Sequence, residues 1–176
     1  AVGVYLFDTS DGSTAICSGG LLADTKATFT PYFLTANHCF TTQASATSME
    51  LFWRYQSTTC NGNPPDASTV PRTSGATLLA TSATSDFTFI RLSGNPPSGS
   101  VYLGWTTATD YSASPGVKTY RMHHANGEKM RYARHETTTV TGSPCGISTA
   151  GHFFSWDKVG GTAGGSSGSP VMLADL

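Results

Sequence analysis

Three short segments carry side chains that could do chemistry together. Gly164-Gly165-Ser166-Ser167-Gly168-Ser169-Pro170 holds serines between glycines and closes on a proline, with β-prone residues after it. Glycines allow a tight turn whose backbone N–H groups face one point, so such a loop can display a nucleophilic hydroxyl. Ser/Gly runs are also common in linkers, and the loop gains meaning only from its company. His38 ends the apolar stretch Pro31-Tyr-Phe-Leu-Thr-Ala-Asn-His38, and Asp86 heads the stretch Asp86-Phe-Thr-Phe-Ile-Arg-Leu92. A lone histidine beside a cysteine, or an acid at a strand edge, is more often structural. Together the order His, Asp, Ser fits acyl transfer to a serine. A serine hydroxyl is a weak nucleophile at neutral pH and needs a base within hydrogen-bond reach. Histidine titrates close to that pH, and an aspartate can hold its tautomer and stabilise its charged form.

The elements that must position these residues read as strands. Ala1–Phe7, Thr14–Ala23, Pro31–Ala36, Ser48–Tyr55, Ala76–Ala83 and Asp86–Leu92 are short, β-branched or aromatic, and separated by turn clusters. Ser57–Gly75 reads as a long surface loop. The Pro- and Gly-rich stretch Ser93–Ser100 is the best boundary between two halves, 1–93 and 101–176, with 94–100 as the linker. Beyond it, Val101–Trp105 is short and apolar, Gly116–His124, Lys129–His135, Gly151–Asp157 and Val171–Leu173 read as further strands, and Asn126-Gly127 signals a hairpin. No stretch keeps a helical period. Many short strands predict an all-β barrel or sandwich.

Composition agrees with a packed, weakly charged fold. The 176 residues include 11% aromatic and only 12% charged side chains, with a formal net charge of -1. Aromatics at that level argue against disorder. There is no basic stripe for nucleic acid, no apolar run long enough to span a membrane, and no signal peptide, as in a mature or trimmed chain. The four cysteines, Cys17, Cys39, Cys60 and Cys145, contain no Cys-x-x-Cys pair, which excludes a zinc ribbon or a thioredoxin-type motif. Two disulfides in an oxidising compartment are the simplest reading, with three possible pairings; buried free thiols are the alternative. Adjacent His123 and His124 would point to opposite faces of a strand, a poor arrangement for one metal ion, so they read as structural. Phe33, Phe52, Trp53, Phe87, Phe89, Phe153, Phe154 and Trp156 read as core.

Pro31–Cys39 (PYFLTANHC), Thr84–Leu92 (TSDFTFIRL), His123–Lys129 (HHANGEK) and Gly165–Pro170 (GSSGSP) together resemble chymotrypsin-like serine proteases, most closely the bacterial secreted lysyl endopeptidase branch. The resemblance runs from Ala1 to Val171. It implies two antiparallel six-stranded β-barrels, the second incomplete, with His38 and Asp86 on the first and Ser167 on the second. It implies catalysis by His38, Asp86 and Ser167, and an oxyanion hole from the N–H groups of Gly165 and Ser167. It also implies a Cys17–Cys39 disulfide that holds the histidine in place. Cys60 and Cys145 are left to pair by elimination, although in the branch a cysteine near Cys60 pairs with an N-terminal segment.

The implied protein is a secreted, monomeric, cofactor-free endopeptidase acting on peptides, cutting after Lys or Arg. A glutamyl endopeptidase and a silent, protease-like binding domain are the alternatives. Ser166 stands where the animal digestive branch has an aspartate that pairs with a freed N-terminus, so activation by that ion pair is not expected. Gly161 stands where trypsin-like enzymes carry their pocket acid. The resemblance further implies a chain clipped at both ends, with the lysyl branch's pocket acid beyond Leu176.

Overall fold

The computed structural model describes residues 1–108, 114–148 and 152–174. Two antiparallel sheets make up the fold. The first is built from β1 (Val2–Asp8), β2 (Thr14–Leu22), β3 (Tyr32–Thr35), β4 (Glu50–Trp53), β5 (Arg72–Ser74), β6 (Ala76–Ser82) and β7 (Phe87–Leu92), in the order β5-β4-β1-β2-β3-β7-β6. The second holds β8 (Lys118–His123), β9 (Arg131–Thr138), β10 (Phe154–Val159) and β11 (Met172–Leu173), in the order β10-β9-β8-β11. This is the all-β, chymotrypsin-like architecture that the sequence predicts. Among the described residues the first sheet has seven strands, one more than expected, and the second has four, in keeping with an incomplete second barrel.

Strand alternation decides what is buried. Phe33 faces inward from β3 and Ile90 from β7, while their neighbours Tyr32 and Phe89 face out and stack on each other with ring centroids 5.2 Å apart. Tyr5, Phe7, Leu21, Phe33, Phe40, Leu51, Trp53 and Ile90 form one core beneath the first sheet. Of the eight aromatics expected inside, only Phe33 and Trp53 are core residues. Phe52, Phe87, Phe89 and Phe154 are half-buried, and Phe153 and Trp156 are exposed. Phe52 lies instead under the Arg72 guanidinium.

Two elements depart from the sequence reading, and it leaves a third unassigned. Gln43–Ser48 forms a short helix, α1, capped by the Thr42 hydroxyl, which accepts from Ser45 N–H. It carries one turn and a half, too short to show a helical period. The Ser57–Gly75 stretch is not all loop, because its end becomes β5 against β4. The short apolar Val101–Trp105 stretch makes a parallel bridge from Leu103 to Leu22 of the first sheet. The Trp105 indole N–H reinforces it by donating to Ala23 O at 2.8 Å. The Asn126-Gly127 hairpin forms, with β8 and β9 paired from Lys118↔Glu136 to His123↔Arg131. Gly151, the expected start of the next strand, lies outside the described residues; the strand itself begins at Phe154.

Phe33 is fully buried at the centre of the core, edge-on to Tyr5 and Trp53. Phe33→Ala should therefore lower the unfolding free energy by about 3–5 kcal/mol in urea titration. A loss below about 1 kcal/mol would place the core elsewhere.

Candidate active site

Antiparallel pairing of β3 with β7 ends at Thr35↔Thr88, so the end of β3 lies beside the start of β7. The chain turns after β3, with Cys39 N–H donating to Ala36 O, and presents His38. Asp86 precedes β7 in the left-handed region, at φ 47, a conformation that Asp tolerates better than most residues. The two meet there. His38 N–H donates to Asp86 Oδ1 at 2.9 Å, and His38 Nδ1 lies 2.7 Å from Asp86 Oδ2. A carboxylate only accepts, so Nδ1 carries the proton and Nε2 keeps its lone pair. The His38 side chain is 56% exposed, leaving Nε2 open to a partner.

The serine loop packs against the same strand ends. Ser18 of β2 donates its N–H to Ser167 O at 2.8 Å and its hydroxyl to Gly165 O at 2.7 Å. Gly168, at φ +79, lies so close to Thr35 Oγ1, Ser18 O and Ala36 N that any Cβ there would overlap them. The loop therefore rests on the turn that leads to His38. Gly165, at φ +84, approaches the β8–β9 connection, and a Cβ on it would lie 2.8 Å from His124 O. Three further bonds fix the loop: Asn126 N–H to Gly164 O, Ser166 N–H to Ala163 O, and Ser169 N–H to Ser166 O. Among the described residues, the N–H groups of Gly165 and Ser167 meet no protein acceptor. His38, Asp86 and the serine loop thus gather at one end of β3.

Cys17 and Cys39 form a disulfide that joins β2 to the residue after His38. Closing that loop is worth about 3 kcal/mol. Cys60 is exposed and free, and the side chain of Cys145, its expected partner, lies outside the described residues.

The two adjacent histidines part company, both fully buried. His123 Nδ1 lies 2.8 Å from Ser166 Oγ, which also accepts from Ala163 N–H. His124 stacks on Tyr55 and donates Nδ1–H to Glu128 O at 2.9 Å. Sequence reading missed Ser18, His123 and Asn126 as supports of the loop. No group of three or more His, Cys, Asp or Glu suited to a metal ion occurs among the described residues. A groove of about 570 Å³ lined by Leu22, Tyr32, Phe89 and Trp105 includes none of these site residues.

The family model of the lysyl endopeptidase C-terminal domain matches residues 1–175. The chain belongs to that family. It is 31% identical to the lysyl endopeptidase of Pseudomonas aeruginosa over 98% of its own length and 37% of that protein's. It is 28% identical to secreted RxLR effector protein 73 of Plasmopara viticola, over 98% of this chain and 41% of that one. The chain thus spans about two fifths of the curated relatives it matches. Among solved structures, the protease Anisep of Arthrobacter nicotinovorans superposes with a TM-score of 0.61 at 20% identity, covering 99% of this chain and 78% of that one. That likeness carries the fold.

Within this domain, burial holds the His124 pKa down to about 4, with the charge of His123 adding to the effect and the bond to Glu128 O opposing it. Nε2 meets no hydrogen-bond partner among the described residues, so a second proton would be charged and stranded. The unfolded chain binds that proton below about pH 6.5, the folded chain only below about 4. Stability therefore falls as pH drops through that window, by up to about 3 kcal/mol from this residue. Burial also lowers the pKa of His123 and of His135, in the same direction. Urea midpoints at pH 7 and 4.5 should show the loss, and His124→Phe should remove much of it. An unchanged loss in His124→Phe would assign the acid sensitivity to other groups.

Proposed function

We propose that this domain is a secreted serine endopeptidase that cleaves peptide bonds through an acyl-enzyme. The observation that carries the reading is the paired contact of Asp86 with His38, through both the backbone N–H and Nδ1, beside a glycine-bounded serine loop. Ser167 is the nucleophile. His38 Nε2 takes its proton on attack and returns it to the leaving amine. Asp86 keeps the imidazole in the Nδ1–H tautomer and offsets the charge it gains. The N–H groups of Gly165 and Ser167 receive the developing oxyanion, each typically worth roughly 3–4 kcal/mol in the transition state. In domain terms, residues 1–93 carry the base and its aspartate, 94–100 link, and 101–176 carry the nucleophile.

Family membership supports cleavage after Lys, and the substrate is a protein or peptide. The Cys17–Cys39 disulfide supports an oxidising, extracellular location. Among the described residues, no helix is long and apolar enough to cross a membrane. The second reading is a protease-like binding domain without turnover.

Turnover of a lysyl peptide ester separates the two. Ser167→Ala and His38→Ala should each lower kcat by about 10⁴–10⁶-fold, and Asp86→Asn by about 10⁴-fold. Retention of wild-type turnover in His38→Ala would remove it as the base. No turnover in the wild-type domain would favour the binding reading.

A further inference from the structure

We propose that the Ser18 hydroxyl is a positioning residue that sets the orientation of the oxyanion-binding loop; the role rests on the serine endopeptidase reading. In a trans peptide the C=O and N–H point in opposite directions, so fixing a carbonyl aims the N–H of the next residue. Asn126 N–H holds Gly164 O at 2.6 Å and thereby aims Gly165 N–H. Ser169 N–H holds Ser166 O at 3.1 Å and aims Ser167 N–H. Between them lies the Gly165–Ser166 peptide. Gly165 has no side chain and a φ of +84, so this unit is the one most free to rotate.

Ser18 blocks that rotation. Its hydroxyl donates to Gly165 O at 2.7 Å and accepts His124 N–H at 3.1 Å. Both its donor and an acceptor lone pair are used, and the residue is fully buried. One oxygen therefore joins β2, the β8–β9 connection and the serine loop. Without it Gly165 O would lie in a dry site with no donor, a position that a buried carbonyl leaves. Rotating the peptide would turn that carbonyl away and pull Ser166 N–H off Ala163 O. Its movement would loosen the two flanking peptides, which carry the N–H groups of Gly165 and Ser167. A hydroxyl here acts through geometry alone, so its effect belongs to the transition state rather than to substrate binding.

The test uses Ser18→Ala, with Ser18→Gly as a second variant that also leaves the β2 backbone bonds in place. Thr73→Val is the control, because Thr73 Oγ1 accepts a buried bond from the Trp53 indole far from the loop. In both Ser18 variants kcat on a lysyl ester should fall about 10- to 100-fold with KM within about threefold. Amide exchange of Ser166, followed by NMR, should quicken at least tenfold in the Ser18 variants and not in Thr73→Val. The exchange readout needs no turnover. An inactive wild-type domain would therefore fail the endopeptidase reading while the exchange still decides the role of Ser18. Ser166 exchange unchanged in both Ser18 variants, or an equal kcat loss in Thr73→Val, would overturn the proposal.

Discussion

One two-residue step in β2 holds the candidate site together. Neighbouring side chains on a strand point to opposite faces. Cys17 turns toward the core of the first sheet and is bonded to Cys39, next to His38. Ser18 turns the other way and binds Gly165 O, Ser167 O and His124 N–H through its hydroxyl and its own N–H. The base side and the nucleophile side are therefore referenced to one rigid, fully paired strand. Each of these hydrogen bonds is worth only about 0.5–1.5 kcal/mol net. Their value lies in geometry, because acyl transfer tolerates little misplacement of the reacting groups.

The support around the serine is neutral throughout. Ser166 meets His123, Ser18 meets His124 N–H, and the remaining contacts are backbone bonds. Burial disfavours the charged form of both histidines. A chain with 12% charged residues has few ion pairs to spend on such a task. The charge that matters is kept at the exposed end, where Asp86 faces His38.

What could be read from sequence follows from how local each signal is. His38, Asp86 and Ser167 lie in contiguous motifs whose residue types state their chemistry, and strand periodicity and turn residues were enough for the all-β class. Two features were hidden by scale: α1 is a polar six-residue segment, and β5 is three residues at the end of a loop rich in turn formers. The outward aromatics were misplaced because only pairing register decides which face a residue takes. Tyr32 and Phe33 differ in burial solely by alternation. Ser18 was invisible for another reason. Its partner carbonyl is 147 residues away, and a serine in Cys-Ser-Gly-Gly looks like any other small strand residue.

The central claim is that one serine in the loop is chemically distinct from its neighbours. Ser166 is turned inward to His123 and Ser169 is buried, whereas Ser167 carries one of the two loop N–H groups that meet no protein acceptor among the described residues. Mapping a fluorophosphonate adduct by tandem mass spectrometry tests this most directly. The account predicts a single adduct, on Ser167 Oγ, that disappears when His38 is replaced. An adduct on Ser166 or Ser169, or an adduct on Ser167 that forms equally fast without His38, would contradict it.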